Sequence, residues 1–209
     1  METSALIRLL AGDAKVREPF ARGLLGAAAL SVALTAGLFA LALGPRPDIA
    51  AAMETARFPF KFVVTGALAV TAFHALLLAG RPEARFHLAP LLAAPLLLAG
   101  AALAELAVTP MASWPALMIG ENAALCLTLI PLFSAGPLAC LIRVSRRGAP
   151  ARPGRAGALA GLAAGGVAAF FYAANCVDDS PLFVLAWYPV AIGMVALAGY
   201  LIGRRALRW

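Results

Sequence analysis

The sequence predicts an all-α integral membrane protein: six transmembrane helices in one bundle, with both termini cytoplasmic. Three observations predict it. Hydrophobic residues make up 63% of the chain and charged residues only 13%, against about 25% charged in a water-soluble domain. With a mean hydropathy of +0.89, too little polar surface remains to cover a soluble fold, so lipid is the expected solvent. The apolar residues also fall in six continuous runs, each near the roughly 20 residues that a helix needs to cross the hydrocarbon core. Finally, Lys and Arg gather on one side of the implied topology.

The six runs cover about residues 24–43, 60–79, 88–108, 116–142, 156–175 and 182–202. They are continuous rather than alternating every second residue, which favours helices over a barrel. The fourth is long enough to tilt, or to begin late near Glu121. Gly44-Pro45-Arg46-Pro47, Gly80-Arg81-Pro82, Thr109-Pro110, Gly148-Ala149-Pro150 and Ser180-Pro181 separate the runs with residues that break helices. In the fifth run, Ala160-Gly161, Ala164-Gly165-Gly166 and Ala168-Ala169 set small residues at helical spacing. Such a face allows close helix packing within the bundle, or between subunits of a homo-oligomer.

With six spans, fourteen Lys and Arg residues lie on the side of the termini and three, Arg46, Arg57 and Lys61, on the other. The positive-inside rule therefore places residues 1–22 as a cytoplasmic arm, 23–203 as the transmembrane domain and 204–209 as a cytoplasmic tail, in a bacterial inner membrane. The basic surface is expected to face anionic lipid, so the net charge of +7 implies no direct nucleic-acid partner. The first run is too long for a signal h-region, and Asp13 and Glu18 precede it, so it is expected to remain uncleaved.

Candidate functional residues are few. No G-x-S-x-G, Walker loop or H-E-x-x-H is present, and no enzymatic activity is expected. His74 and His87 fit helix packing or an interface, with haem or quinone ligation as the other reading. Trp187, Tyr188 and Trp209 look like interfacial anchors. Glu105, Glu121, Asp178 and Asp179 fall near the outer surface, either as hydrated charges or as a carboxylate-rich pocket. Cys126 and Cys176 both approach that surface, while Cys140 lies deep toward the inner one. Each is either a small apolar filler or, for the outer two, part of a paired thiol site. In the arm, Leu6, Leu9 and Leu10 share one helical face, suited to the membrane surface or to a groove on a partner.

The chain resembles the NrsF-type negative regulators of sigma factor over nearly its whole length. The resemblance rests on Arg46-Pro47-Asp48, Arg57-Phe58 leading to Lys61, Cys126, Arg146-Arg147-Gly148-Ala149-Pro150, Cys176, Asp178-Asp179-Ser180-Pro181, Trp187-Tyr188, Gly203-Arg204-Arg205 and Arg208-Trp209, in that order. It implies a membrane anti-sigma factor that holds an extracytoplasmic-function sigma factor inactive and releases it when a cysteine pair senses heavy metal or oxidative stress. Carried over, the pair is Cys126 and Cys176, with no role for Cys140. Glu121, Asp178 and Asp179 are then candidate accessory ligands, and Leu6, Leu9 and Leu10 the candidate sigma contacts. No cofactor is implied, only a heavy-metal ion as a transient signal. A small transporter or channel, or a haem- or quinone-binding redox protein, are the other classes the composition admits.

Reporter fusions after Pro47, Arg81, Ser113, Pro150 and Asp179 are expected to alternate outside, inside, outside, inside, outside. An outside C-terminus would overturn this topology.

Overall fold

The computed structural model describes residues 20–80 and 89–208, with isolated positions 3, 4 and 7. Leu6, Leu9, Leu10, His87 and Trp209 lie outside the described residues. Among the described residues there are eight α-helices and no strand. They are α1 (Phe20–Ala42), α2 (Ile49–Met53), α3 (Arg57–Ala79), α4 (Ala93–Val108), α5 (Trp114–Ile119), α6 (Ala123–Ser145), α7 (Pro153–Ala173) and α8 (Pro181–Ala206). Six segments, built on α1, α3, α4, α6, α7 and α8, are long and apolar enough to cross a membrane.

The fourth run begins late, as its length suggested. It divides into the short α5 and the long α6, and the break falls at Gly120. Gly120 has φ +59, and a Cβ there would press into the Phe183 ring and the Asp178 carboxylate. Only glycine meets both demands without strain. Proline opens α7 and α8 at Pro153 and Pro181, where its missing N–H costs nothing. Ser180 caps α8 by accepting from the Leu182 N–H.

α7 is the centre of the bundle. In its most apolar stretch 72% of the residues are buried, against 22–44% in the other five spans. Its small residues make this possible, because backbones can approach where no side chain intervenes. A Cβ on Gly161 would lie 2.5 Å from the Val195 carbonyl of α8, and one on Gly166 2.9 Å from the Ala69 backbone of α3. α8 and α3 thus flank α7 on two sides, α6 also packs on it, and α1 lies mainly against α6.

The two ends of the bundle differ. One gathers the segments 43–56, 109–122 and 174–180. At the other, the Phe20 ring sits between Gly80 and Gly148, and a Cβ on Gly80 would collide with it. There the Ala149 N–H donates to the Gly80 carbonyl at 3.2 Å, tying the end of α3 to the segment after α6.

Gly161→Leu is expected to separate α7 from α8 and destabilise the protein by about 1–3 kcal/mol. In thermal unfolding of detergent-purified protein that is roughly 2–4 °C for each kcal/mol. Gly100→Leu, where an added side chain meets nothing within 4 Å, should leave the melting temperature unchanged.

Candidate functional site

The segment 174–180 between α7 and α8 carries the site, and five other parts of the chain hold it. Lys61, in the second turn of α3, is 1% exposed. Its ammonium pairs with Asp179 Oδ1 at 2.6 Å and donates to the carbonyls of Cys176 (2.8 Å) and Asp178 (3.4 Å). The other Asp179 oxygen accepts from Arg46 Nη1 at 2.8 Å. Arg46 also makes a two-pronged contact with Asp48, at 2.7 and 2.6 Å, the strongest geometry available to an arginine–carboxylate pair. Both cations lie over the buried Phe58 ring, at 5.6 Å for Arg46 and 5.2 Å for Lys61. Backbone contacts close the same corner: the Arg46 N–H donates to Ala174 O, and Asn175 Nδ2 to Gly44 O, both at 3.0 Å. The hydrogen bond from Arg46 holds the Asp48 carboxyl below the usual carboxylate range. The contribution of this pair is therefore present above the ordinary Asp value and lost only as pH falls through the lowered one.

Two further carboxylates sit at helix N-termini, where backbone N–H groups lack partners. Asp178 accepts from the N–H groups of Glu121 and Asn122 and from Asn122 Nδ2, the last two at 2.9 Å, at the start of α6. Glu105 of α4 accepts from Ser180 Oγ at 2.5 Å and from the Leu182 N–H at 3.2 Å, at the start of α8. Its other oxygen pairs with Arg57 at 3.1 Å. Glu105 is only 5% exposed, so it is a buried structural charge rather than a hydrated interfacial one.

The thiols lie just inside this charged layer. Cys126 in the first turn of α6 and Cys176 after α7 are both buried and unbridged. The Cys176 thiol donates to the Asp178 carbonyl at 3.9 Å, and the adjacent Cys126 thiol lowers it below the usual cysteine range, with burial opposing the shift and the nearby Lys61 charge adding to it. Tyr172 and Tyr188 wall the pair, their ring centroids 6.2 Å apart. The arrangement can bind a thiophilic ion through two sulfurs, or bring two thiols together for oxidation.

A family model described as "Negative regulator of sigma F" matches residues 10–209. The chain belongs to the NrsF family. It is 34% identical to the "Probable anti-sigma-F factor NrsF" of Azospira oryzae and 31% identical to the "Anti-sigma-F factor NrsF" of Caulobacter vibrioides, in each case across 100% of both chains. No solved structure matches.

In this NrsF-family chain the structure brings Cys126 and Cys176 together and leaves Cys140, half-buried, about 21 Å along α6 from Cys126 at the rise of a helix. Glu121, Asp178 and Asp179 are not gathered around the thiols as one donor set. Glu121 is exposed, the Asp178 carboxylate is spent on the α6 terminus, and Asp179 is held by two cations. Among the described residues no group of three or more His, Cys, Asp and Glu side chains is placed to hold a metal ion. Tyr188 is no interfacial anchor: it is 2% exposed and part of the core. Trp187, beside it, donates to the Met118 carbonyl at 2.9 Å. His74 is exposed on α3. Sequence reasoning grouped Glu105 with Asp178 and Asp179 as a possible carboxylate pocket, but did not single out Lys61, Arg46 or Tyr172 as parts of that site. The available signal was that three cations stand alone on the side otherwise free of them.

Asp179→Asn is expected to destabilise the protein by about 3–5 kcal/mol, because it leaves Lys61 buried without a counter-charge. Lys61→Met should cost less, since Asp179 keeps Arg46, and Asp48→Asn should change little. Thermal unfolding of the three purified variants gives the order.

Proposed function

We propose that the chain is an anti-sigma factor of the bacterial inner membrane, holding an extracytoplasmic-function sigma factor through its cytoplasmic arm and releasing it when Cys126 and Cys176 are occupied. Membership of the NrsF family along residues 10–209 carries this reading, together with two relatives matched end to end and named as anti-sigma-F factors. The structure adds support for the orientation. All three cations at the thiol end are paired with carboxylates, Arg46 and Lys61 with Asp48 and Asp179, and Arg57 with Glu105. Glu54, Glu121 and Asp178 then leave that end net negative, while the other carries most of the arginines. This sorting favours a periplasmic thiol end and cytoplasmic termini.

In this scheme the signal reaches the two sulfurs from the periplasm, as a soft metal ion bridging them or as an oxidant that joins them. Either outcome alters how α6 sits against the end of α7. α6 runs from Cys126 to the segment at Gly148 that holds Phe20, where the arm begins. A ligand shifts such an equilibrium only by its differential affinity for the two arrangements. Moving from mostly sigma-bound to mostly sigma-free needs about 5 kcal/mol, within reach of thiolate–metal coordination. Leu6, Leu9 and Leu10 are the sigma contacts in this reading, each worth about 2 kcal/mol if buried against the partner.

The test is co-purification of the sigma factor with the membrane-embedded chain, with and without cadmium. The wild type should retain sigma and lose it on exposure. Leu6→Ala, Leu9→Ala, Leu10→Ala in one chain should stay in the membrane without sigma. The Cys126→Ser, Cys176→Ser double variant should hold sigma in both conditions. Release from that double variant would remove the thiols from the mechanism, and retention by the triple variant would move the sigma contact elsewhere, first to the basic segment 143–155.

A further inference from the structure

The end of the bundle opposite the thiols carries charge of one sign. Every described cation there is an exposed arginine, and every described carboxylate lies at the thiol end. Among the described residues, none of these arginines pairs with a carboxylate. Four of them hang from backbone turns that touch. A Cβ on Gly203 would lie 2.7 Å from the Pro153 carbonyl oxygen, and one on Gly154 2.9 Å from Arg204 Cγ. Arg152 and Arg155 flank the first of these turns, and Arg204 and Arg205 follow the second. The Arg204 guanidinium lies over the Tyr200 ring at 5.7 Å. Like charges gathered in this way repel one another, and a bound anion relieves the repulsion.

The positive-inside rule accounts for basic charge at this end but not for its placement or its chemistry. α7 is the central helix, packed on α8, α3, α6 and α1. Its arginine-bearing end therefore opens onto water rather than onto the lipid at the bundle's perimeter, and Arg152 and Arg155 stand there. Lysine would orient the chain equally well, whereas a guanidinium can hold a carboxylate through two parallel hydrogen bonds. The segment with Arg146 and Arg147 belongs to the same face, tied to α3 through the Ala149 N–H on the Gly80 carbonyl. Arg147 Nη1 is 4.0 Å from a Cβ placed on Gly23, so the basic surface reaches α1, the helix that follows the arm in the chain.

We propose that this end face is a docking surface for an acidic patch on a soluble cytoplasmic protein. The inference rests on the reading of the chain as a sigma-binding protein and gives that partner a second contact. The leucines of the arm hold it, and the arginines attract and orient it. Charge complementarity of this kind acts mainly on the rate of association.

The experiment places the full-length protein in phosphatidylcholine nanodiscs and follows binding of the purified sigma factor that the wild type retains. Salt is set at roughly 0.1 and 1 M NaCl, between which the Debye length falls from about 10 to about 3 Å. Wild-type association should slow by about 10-fold or more at the higher salt. Arg152→Glu, Arg155→Glu in one chain should melt at the wild-type temperature or above, since it relieves repulsion. It should associate about 10–100-fold more slowly at the lower salt, with dissociation little changed. Arg152→Gln, Arg155→Gln should fall between the two, and it carries the test if the charge-reversed chain does not insert. Association that ignores salt, or charge variants that bind at the wild-type rate, overturns the inference and leaves the sigma-binding reading standing. The comparison is repeated with phosphatidylglycerol in the nanodiscs. If the difference between wild type and variants vanishes there, the arginines serve anionic lipid and the inference falls. A wild type that binds no sigma factor at either salt defeats the sigma-binding reading and this inference with it.

Discussion

Lys61 is a full positive charge sealed into an apolar bundle. Removing an ammonium from water costs several kcal/mol even after relaxation, and only a counter-charge with further hydrogen bonds makes the site tolerable. The 174–180 segment supplies both: Asp179 as the counter-ion, and two carbonyls as acceptors. This need fixes the segment's path. Asp179 must face α3, which leaves its second oxygen for Arg46 and draws in the turn after α1. The carbonyls must point inward, which sets Cys176 against Cys126. The thiol pair is therefore a by-product of neutralising one lysine.

The same arrangement gives the bundle a division of labour. α6 and α8 begin at carboxylates supplied by other parts of the chain, Asp178 and Glu105, so their first turns move only if the charged layer moves. α7 meets its neighbours through glycine and alanine, a surface with little interdigitation along which helices can slide or tilt at small cost. The charged layer at one end and the small-residue central helix are thus held by different kinds of contact, ion pairs and hydrogen bonds in the first and backbone packing in the second.

Much of the fold could be read from the residues, because long apolar runs have one solution in lipid. The late start of α6 was visible in Gly120-Glu121-Asn122, three residues that interrupt an apolar helix. The site was less visible. Lys61 stands at the edge of its run and was counted only as one of three cations on that side, and nothing local reveals that a residue more than a hundred positions away neutralises it. For Glu105 the two readings, hydrated charge or carboxylate pocket, could not be separated for the same reason. Tyr188 was taken for an interfacial anchor from residue type and position near a span end, and periodicity could not tell which face of α8 turns inward. The convergence of Cys126 and Cys176 followed from topology. Asp178 and Asp179 were identified as important but given the wrong partners, since sequence shows carboxylates near thiols and not the helix terminus and lysine that claim them.

The separation of these partners along the chain has a consequence for biogenesis. Arg46 has Asp48 two positions away, but Lys61 is made early and its counter-charge, Asp179, comes only after α7. Until α7 and α8 have been synthesised and docked, α3 carries an uncompensated ammonium at the edge of the hydrocarbon, a state the bilayer tolerates poorly. A truncated or stalled chain thus advertises its own incompleteness through an orphan charge. The finished bundle and an incomplete one therefore differ by a buried charge with no counter-ion, a difference that membrane quality control can read.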